Sequence, residues 1–348
     1  MSGLAVDVLG TAVGIVAPEP HLTELRVALA DLEPAPTADH QLALTPTDHG
    51  LDLRDNGRIV QRGIDPDIAA PTVVWRLNAI AAQSPAHVLV HGACVGGPLG
   101  GCVLLVGGAG TGKSTLTAAC VGSGLAYLSD EVAAVDRRTG LIAPYAKPIG
   151  LDGERIVPAS SLGVVATGPA PPTALVFPRY EPGADTSVVR LDAGWTLVAL
   201  VAHATNLAAH GGTALAWLAG VALACPALQL THADAGTAVT TIARAAERPA
   251  RRVTPAQVLE PITADTTTVA VGDSLAVLHE PSGRVHLLNP SAAAVWRRAA
   301  GAVDGCITSS LVDTVLEGSD GGCRDRSTVT ATVDQLVRSG LIAAPPGP

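Results

Sequence analysis

The run Cys102-Val103-Leu104-Leu105-Val106 contains no polar side chain, the pattern of a strand buried on both faces. A glycine-rich stretch stops it, and residues 114–121 then read as a helix whose N-terminus faces that stretch. Residues 124–132 predict another strand, closing on the adjacent carboxylates Asp130 and Glu131. Residues 213–225 are strongly apolar over a length too short to span a membrane, which predicts a buried helix. Toward the C-terminus, residues 275–279 and 284–289 flank the turn Pro281-Ser282-Gly283 and predict a hairpin. Asn289 is placed to cap a helix with Pro290 in its first turn, continuing to Ala300 through Val295 and Trp296. A second helix fits 309–316, and a third fits 328–339 with Gly340 as its stop. The first part of the chain is less regular. Candidate strands lie around 5–8, 41–44 and 59–61, separated by Pro18, Pro20, Pro34 and Pro36.

This pattern divides the 348 residues into a small β-containing lead domain (1–80), a central α/β domain (81–245), a linker (246–262) and a C-terminal module (263–348). The linker is marked by Pro249, Pro255 and Pro261 with Arg251 and Arg252. Hydrophobic residues make up 48% of the chain but aromatics only 2%, so the cores must be built from Ala, Val and Leu. The net charge of −9 argues against a nucleic acid or other polyanionic partner, and residues 328–339 have little basic character for a helix that would read DNA. Six cysteines show no C-x-x-C spacing and read as reduced, mostly buried thiols, not as zinc ligands or a disulfide framework. The N-terminus lacks a basic segment and Asp7 interrupts its apolar stretch, so no signal peptide is expected. These features predict a cytoplasmic protein without a membrane partner; an oligomer is compatible with them.

Nearly all the cations are arginine. One of only two lysines, Lys113, lies in the sequence Gly107-Gly108-Ala109-Gly110-Thr111-Gly112-Lys113-Ser114-Thr115, which fits G-x-x-x-x-G-K-[ST]. Glycines at this spacing let successive backbone N–H groups surround phosphate oxygens; the lysine adds a mobile charge near the β- and γ-phosphates, and Ser114 offers a hydroxyl to Mg²⁺. The predicted strand before and helix after are the context this motif needs. An acid at the end of a neighbouring strand holds Mg²⁺ in such proteins. Asp130 and Glu131 supply two, one for metal and one for proton transfer. The chemistry implied is ATP and Mg²⁺ binding.

His91-Gly92, the phosphate-loop run, Leu128-Ser129-Asp130-Glu131, Pro144-Tyr145-Ala146-Lys147-Pro148-Ile149 and Phe177-Pro178-Arg179-Tyr180 together resemble the HPr kinase/phosphorylase superfamily, in particular the HPr-kinase-like enzymes of peptide natural-product clusters. The likeness covers roughly residues 70 to 245. It implies a P-loop kinase fold and ATP-dependent phosphorylation of a protein or peptide hydroxyl. The resemblance implies Asp130 as general base, oriented by His91, with Glu131 near the metal beside Ser114. The second acid of this family is usually Asp, so Glu131 is a departure, and the reverse assignment stays open. Arg179 is either a contact for the transferring phosphoryl group or a member of a structural salt bridge. Lys147 either reaches substrate or nucleotide or is a solvated loop residue. Asp185, Asp192, His203, Asn206, His210 and His232 show no metal spacing and read as capping or satisfied polar residues.

Residues 265 to 345 carry a different resemblance. Leu288-Asn289-Pro290-Ser291-Ala292-Ala293-Ala294-Val295-Trp296 and the closing Ser339-Gly340-Leu341-Ile342 are similar to the PqqD-like peptide-recognition domain, a winged-helix arrangement of a β-hairpin and three helices. The resemblance implies that the leader of a ribosomally made precursor peptide adds as a strand beside 275–289 and packs against 328–339. The combined expectation is a kinase that phosphorylates a serine or threonine of a precursor peptide held by its leader, with other enzymes of the same biosynthesis as possible partners. Two further readings stay open: a phosphohydrolase or phosphorylase acting on a phosphopeptide, and a non-catalytic, nucleotide-gated peptide chaperone.

Overall fold

A computed structural model of the chain describes residues 3–151, 155–260, 265–301, 326–339 and 341. It is a mixed α/β structure that divides into two compact units. The first comprises Met1–Leu191, His203–Asn206 and Ala224–Thr254; the second comprises Asp192–Ala202, Leu207–Leu223 and Pro255–Pro348.

The first unit opens with strands β1 (Gly3–Val8) and β2 (Thr11–Val16), helix α1 (His21–Ala28), strands β3 (His40–Thr47), β4 (Gly50–Asp55) and β5 (Arg58–Ile64), and helix α2 (Ala69–Ala81). The five strands form one sheet in chain order, antiparallel except for the parallel pair β2–β3. The strands expected at 5–8, 41–44 and 59–61 fall within β1, β3 and β5. One face of this sheet buries Val8, Val13, Ile15, Leu42, Leu44 and Leu53 against Leu22, Leu25, Val73 and Leu77 of the two helices. The same core continues into Leu89, Val132, Ala134 and Tyr145, so no boundary between compact bodies falls near residue 80. A sheet this small has one face to bury, and α2 is covered only when residues of the central region pack on it.

The chain continues through β6 (His87–Gly96), β7 (Cys102–Val106), α3 (Lys113–Gly122), β8 (Ala126–Ser129), β9 (Val132–Asp136), β10 (Ile142–Ala143), β11 (Ile149–Leu151), β12 (Arg155–Val157), β13 (Pro172–Tyr180) and β14 (Ser187–Leu191). After α4 (Ala193–Ala202) and α5 (Leu207–Ala224) come β15 (Ala227–His232) and α6 (Ala235–Ala246). The second sheet has the order β10-β9-β6-β7-β13-β15-β14, with β8 also pairing β6. Strands β7, β13 and β15 are parallel, so their carboxyl ends share one edge of the sheet. β7 is buried along its whole length, as its unbroken apolar run predicts. Helices α3 and α6 cover it through Leu116, Cys120, Ile242 and Ala245.

The strand expected over 124–132 does not end at its carboxylates. It continues as β9, and Asp130 and Glu131 form an irregularity between β8 and β9, both of which pair with β6. Glu131 has φ 62°, the left-handed conformation that lets one residue step out of a ladder.

In the second unit, β16 (Val258–Leu259), β17 (Thr266–Val271), β18 (Ser274–His279) and β19 (Arg284–Leu288) make an antiparallel sheet in chain order. The expected hairpin is β18–β19. β17 goes unnoticed in the sequence because three threonines mask its alternation. Helix α7 (Pro290–Gly301) begins as expected, with the Asn289 side chain accepting from the Ala292 N–H at 2.9 Å. Helix α8 (Arg326–Arg338) covers the third predicted helix; the second, at 309–316, lies outside the described residues, as do Cys306, Cys323 and Gly340. Trp296, Val329, Val333 and Leu336 pack on Leu275 and Val277.

Helices α4 and α5, expected in the central domain, belong to this unit. A Cβ on Gly212 would lie 2.4 Å from Thr267, and the Gly212 N–H donates to Glu280 at 3.0 Å. The approach requires glycine and ties α5 to the hairpin. Gly211 (φ 50°, ψ −135°) is not helical and breaks α5 by a kink; the helix expected over 213–225 is the part that follows it. Among the described residues α5 is the one helix long and apolar enough to cross a membrane by length and composition; 56% of it is buried within the protein.

Candidate functional site

The loop between β7 and α3 turns on left-handed glycines, Gly110 at φ 77° and Gly112 at φ 85°, a conformation other residues adopt only under strain. Gly107 is required for another reason: a Cβ there would sit 2.9 Å from the Thr111 hydroxyl. The Thr111 hydroxyl and the Lys113 ammonium both donate to the Gly108 carbonyl, at 2.9 and 2.7 Å. The lysine therefore lies folded over its own loop. Lys113 is 6% exposed, and burial lowers its pKa while Asp130 and Glu131 raise it.

Ser114 stands one residue further along α3, and its hydroxyl donates to Asp130 Oδ2 at 2.9 Å. Asp130 is 1% exposed, and its Oδ1 has no hydrogen-bond partner among the described residues. A buried carboxylate oxygen without a partner is costly unless something arrives to neutralise it. A hard divalent cation taking oxygen ligands would fit this pair: the Ser114 hydroxyl and the Asp130 carboxylate offer two ligands, and a cation such as Mg²⁺ usually keeps several waters. No cluster of three His, Cys, Asp or Glu side chains is present among the described residues, and such a site needs none.

Glu131 goes elsewhere. Its Oε2 takes Nδ2 of Asn78, on α2, at 2.8 Å and the Lys147 ammonium at 3.0 Å. Burial would raise its pKa, but the charge and hydrogen bond of Lys147 and the bond from Asn78 prevail and hold it below the ordinary carboxylate value. Both donors sit on one oxygen, Oε2, and Glu131 also lines the cavity beside the loop. That cavity, of about 280 Å³, is lined by His91, Glu131 and the loop from Ala109 to Thr115 except Thr111. The partnership expected between Ser114 and Glu131 is thus not the one found: the irregularity between β8 and β9 sends Asp130 inward to Ser114 and Glu131 outward to Lys147.

His91, on β6, is held by both neighbours of the strand. Its backbone N–H donates to the His203 carbonyl at 2.7 Å, and its Nδ1 meets the Glu131 carbonyl at 3.1 Å. An Nδ1–H donating there leaves the lone pair of the neutral ring on Nε2. Burial and the nearby Lys113 charge lower the pKa of His91; burial, His91 and Lys113 do the same for His203. An arriving anion would reverse these effects. His91 therefore contacts Glu131 through the backbone and does not orient Asp130 in the way expected.

Of the other sequence candidates, Lys147 is not a solvated loop residue. It is 2% exposed, and Tyr127 donates to its carbonyl at 2.7 Å. Arg179 is 63% exposed and pairs with Glu181 at 3.4 Å, while the next side chain along β13, Tyr180, alternates to the face that meets Gly112. Asp192 caps α4 through the Trp195 N–H, and Asn206 bonds β6 on both its amide atoms, the satisfied roles expected of them. Sequence reasoning missed Asn78, which lies 53 positions before its partner, and His203, whose ring reaches within 4.0 Å of a Cβ placed on Gly108. Neither carries a local signal; both are brought in by packing.

Comparison with protein-family models and with curated proteins gives no match.

Proposed function

We propose that the chain is an ATP-dependent phosphotransferase of the HPr kinase-like type. It would phosphorylate a serine or threonine hydroxyl of a ribosomally made precursor peptide whose leader is held by a PqqD-like second unit. One observation carries the reading: the Ser114 hydroxyl is 2.9 Å from Asp130 Oδ2, with the other Asp130 oxygen unpartnered, at the start of a helix that follows a phosphate-type loop.

In this reading Gly107–Thr115 binds the phosphates through backbone N–H groups and the α3 N-terminus. Ser114 and Asp130 would hold Mg²⁺, which supplies positive charge to the β- and γ-phosphates. Lys113 leaves the Gly108 carbonyl and takes a phosphate oxygen, exchanging a neutral acceptor for a charged one. Glu131, ionised and fixed by Lys147 and Asn78, receives the proton of the acceptor hydroxyl, so the roles expected for the two acids are exchanged. His91, which lines the cavity, would hydrogen-bond the transferring group through Nε2. Rate enhancement rests on position and charge more than on covalent chemistry.

The peptide half of the proposal rests on β19. It ends its sheet, so one row of its N–H and C=O groups has no strand partner among the described residues, the feature that β-augmentation uses. Holding the leader there would make a weak encounter of core peptide and site effectively intramolecular. The test is intact-mass analysis of candidate precursor peptide incubated with the protein and Mg-ATP. A gain of one phosphoryl group on the peptide, dependent on Ser114, supports the proposal. Release of phosphate from a phosphopeptide, or peptide binding with neither reaction, would replace it with one of the other two readings.

A further inference from the structure

The loop accounts for phosphates only. What holds the rest of a nucleotide is a separate question, and the carboxyl edge of the sheet offers one answer. β13 runs beside β7 with Val176 level with Leu105, so Phe177 is level with Val106, where β7 stops. β13 continues to Tyr180, a further three residues, or about 10 Å of strand. β15 follows it in register, with His232 opposite Tyr180. The two parallel strands thus overhang the glycine-rich loop, and each ends in an aromatic ring.

The strand ends lie beside the loop. A Cβ on Gly112 would be 3.7 Å from the His232 ring and 3.9 Å from the Tyr180 Cβ, ordinary van der Waals distances. The rings meet edge to face, with centroids 5.8 Å apart and planes at 62°. His232 is 3% exposed and wedged in place; Tyr180 is 52% exposed. The contrast with the other two tyrosines decides the matter. Tyr127 and Tyr145 are at most 2% exposed and serve the core. In a chain with 2% aromatic residues, a half-exposed tyrosine beside a phosphate-type loop is not packing material.

We propose that Tyr180, braced by His232, is the seat for the base of a nucleoside triphosphate whose phosphates lie on Gly107–Thr115. The proposal rests on the nucleotide reading of that loop. In open α/β sheets, ligands lie outside the carboxyl ends of the strands, near the point from which the chain proceeds to both sides. Here it proceeds from β7 to β8 on one side and to β13 and β15 on the other. Arg179 and Glu181 are engaged with each other on the opposite face of β13, so they do not compete for the space next to Tyr180. Stacking on a tyrosine reads the face of a base and not its hydrogen-bonding edge. ATP and GTP should therefore both gain from it, and inorganic tripolyphosphate should not.

The experiment is calorimetric titration of the full chain with Mg²⁺ and each of ATP, GTP and inorganic tripolyphosphate, for the unaltered protein, Tyr180→Phe and Tyr180→Ala. The expected result is that ATP and GTP bind more tightly than tripolyphosphate and Tyr180→Phe keeps the difference. Tyr180→Ala should weaken ATP and GTP by roughly tenfold while leaving tripolyphosphate unchanged. If Tyr180→Ala weakens tripolyphosphate equally, the ring only supports the loop and the seat is refuted. If Tyr180→Ala changes nothing, or the unaltered protein binds ATP no better than tripolyphosphate, the seat is refuted while the phosphate site stands. If the unaltered protein binds none of the three, the nucleotide reading itself fails and the seat falls with it.

Discussion

Replacing Asp130 by asparagine separates the two acids most sharply. The side chain keeps its shape and loses its charge. One of its two oxygens becomes an amide nitrogen; in the structure Oδ2 accepts from the Ser114 hydroxyl and Oδ1 is buried without a partner among the described residues. Interactions with a charged group contribute about 1.5–3 kcal/mol net, which corresponds to roughly a tenfold to hundredfold loss of Mg-ATP affinity. Without Mg²⁺ the sign reverses. The buried carboxylate then only repels phosphate, so Asp130→Asn should bind metal-free ATP as well as the unaltered protein or better. Glu131→Gln should leave Mg-ATP affinity near normal, because Glu131 is engaged by Lys147 and Asn78 and not by Ser114, but it should abolish transfer to peptide. Titration calorimetry with and without chelator, alongside a peptide phosphorylation assay, reads all four quantities. An intact Mg-ATP affinity in Asp130→Asn together with a collapse in Glu131→Gln would refute the assignment of metal and base derived from the geometry.

Lys113→Ala should reduce ATP-dependent turnover on the order of a hundredfold or more, since the lost cation stabilises developing phosphate charge; normal turnover would remove the loop from the mechanism. Lys147→Met should lower the unfolding free energy by about 1–3 kcal/mol, between the values for surface and buried ion pairs, because the lysine is buried and its partner Glu131 is half exposed; urea denaturation that shows no change would mean that water replaces the lysine fully. Burial holds His87 below its ordinary value of 6.5 against the pull of Asp136 and Asp7. The fold therefore binds fewer protons than the unfolded chain, and this contribution is complete above that value and lost as pH falls below it. Comparing unfolding at about pH 7.5 and about pH 5 should show a smaller acid loss in His87→Gln than in the unaltered protein. Deleting residues 263–348 should impair folding, because it uncovers the sides of α4 and α5 that meet Leu287 and Thr267; a truncated chain with unchanged unfolding cooperativity would disprove this.

Legibility in the sequence followed the range of the interactions. β7, the glycine-rich turn and α3 are contiguous, and their apolar run, glycines and helix start are dictated locally, so their bounds were readable within a residue or so. The hairpin β18–β19 and the Asn289 cap were readable for the same reason. The destination of Glu131 was not. Two adjacent acids look alike in sequence, and only the left-handed backbone at Glu131, set by pairing of β8 and β9 with the same strand, decides which of them meets Ser114. Lys147 was legible as unusual, being one of two lysines, yet its partners Tyr127 and Glu131 come from β8 and the irregularity after it. β17 was hidden by composition: its threonines read as polar although their β-branched side chains suit a strand.

The boundary that sequence composition marked, within 246–262, contains one passage of the chain between units, at Thr254–Pro255. The other passages have no linker. The chain leaves the first unit after Leu191, returns for His203–Asn206 alone, leaves again through α5 and returns at Ala224. A return of four residues holds only if its backbone groups are fully satisfied, and here they are tied to β6. His203 accepts from His91 at 2.7 Å, Thr205 donates to Leu89 at 2.9 Å, and the Asn206 amide takes the Leu89 N–H and gives to the His87 carbonyl, each at 2.9 Å. A side-chain amide thus completes a ladder that the strand could not finish alone. The consequence is topological. α4 and α5, whose glycines Gly194 and Gly212 receive Leu287 and Thr267 of the hairpin unit, are covalently joined through residues bonded to the strand that carries His91. An appended recognition module would need only one connection. Interleaving costs more chain closure, which has to be offset by native contacts before either unit is complete. The chain thus passes between the two units several times, where its sequence marks a single linker.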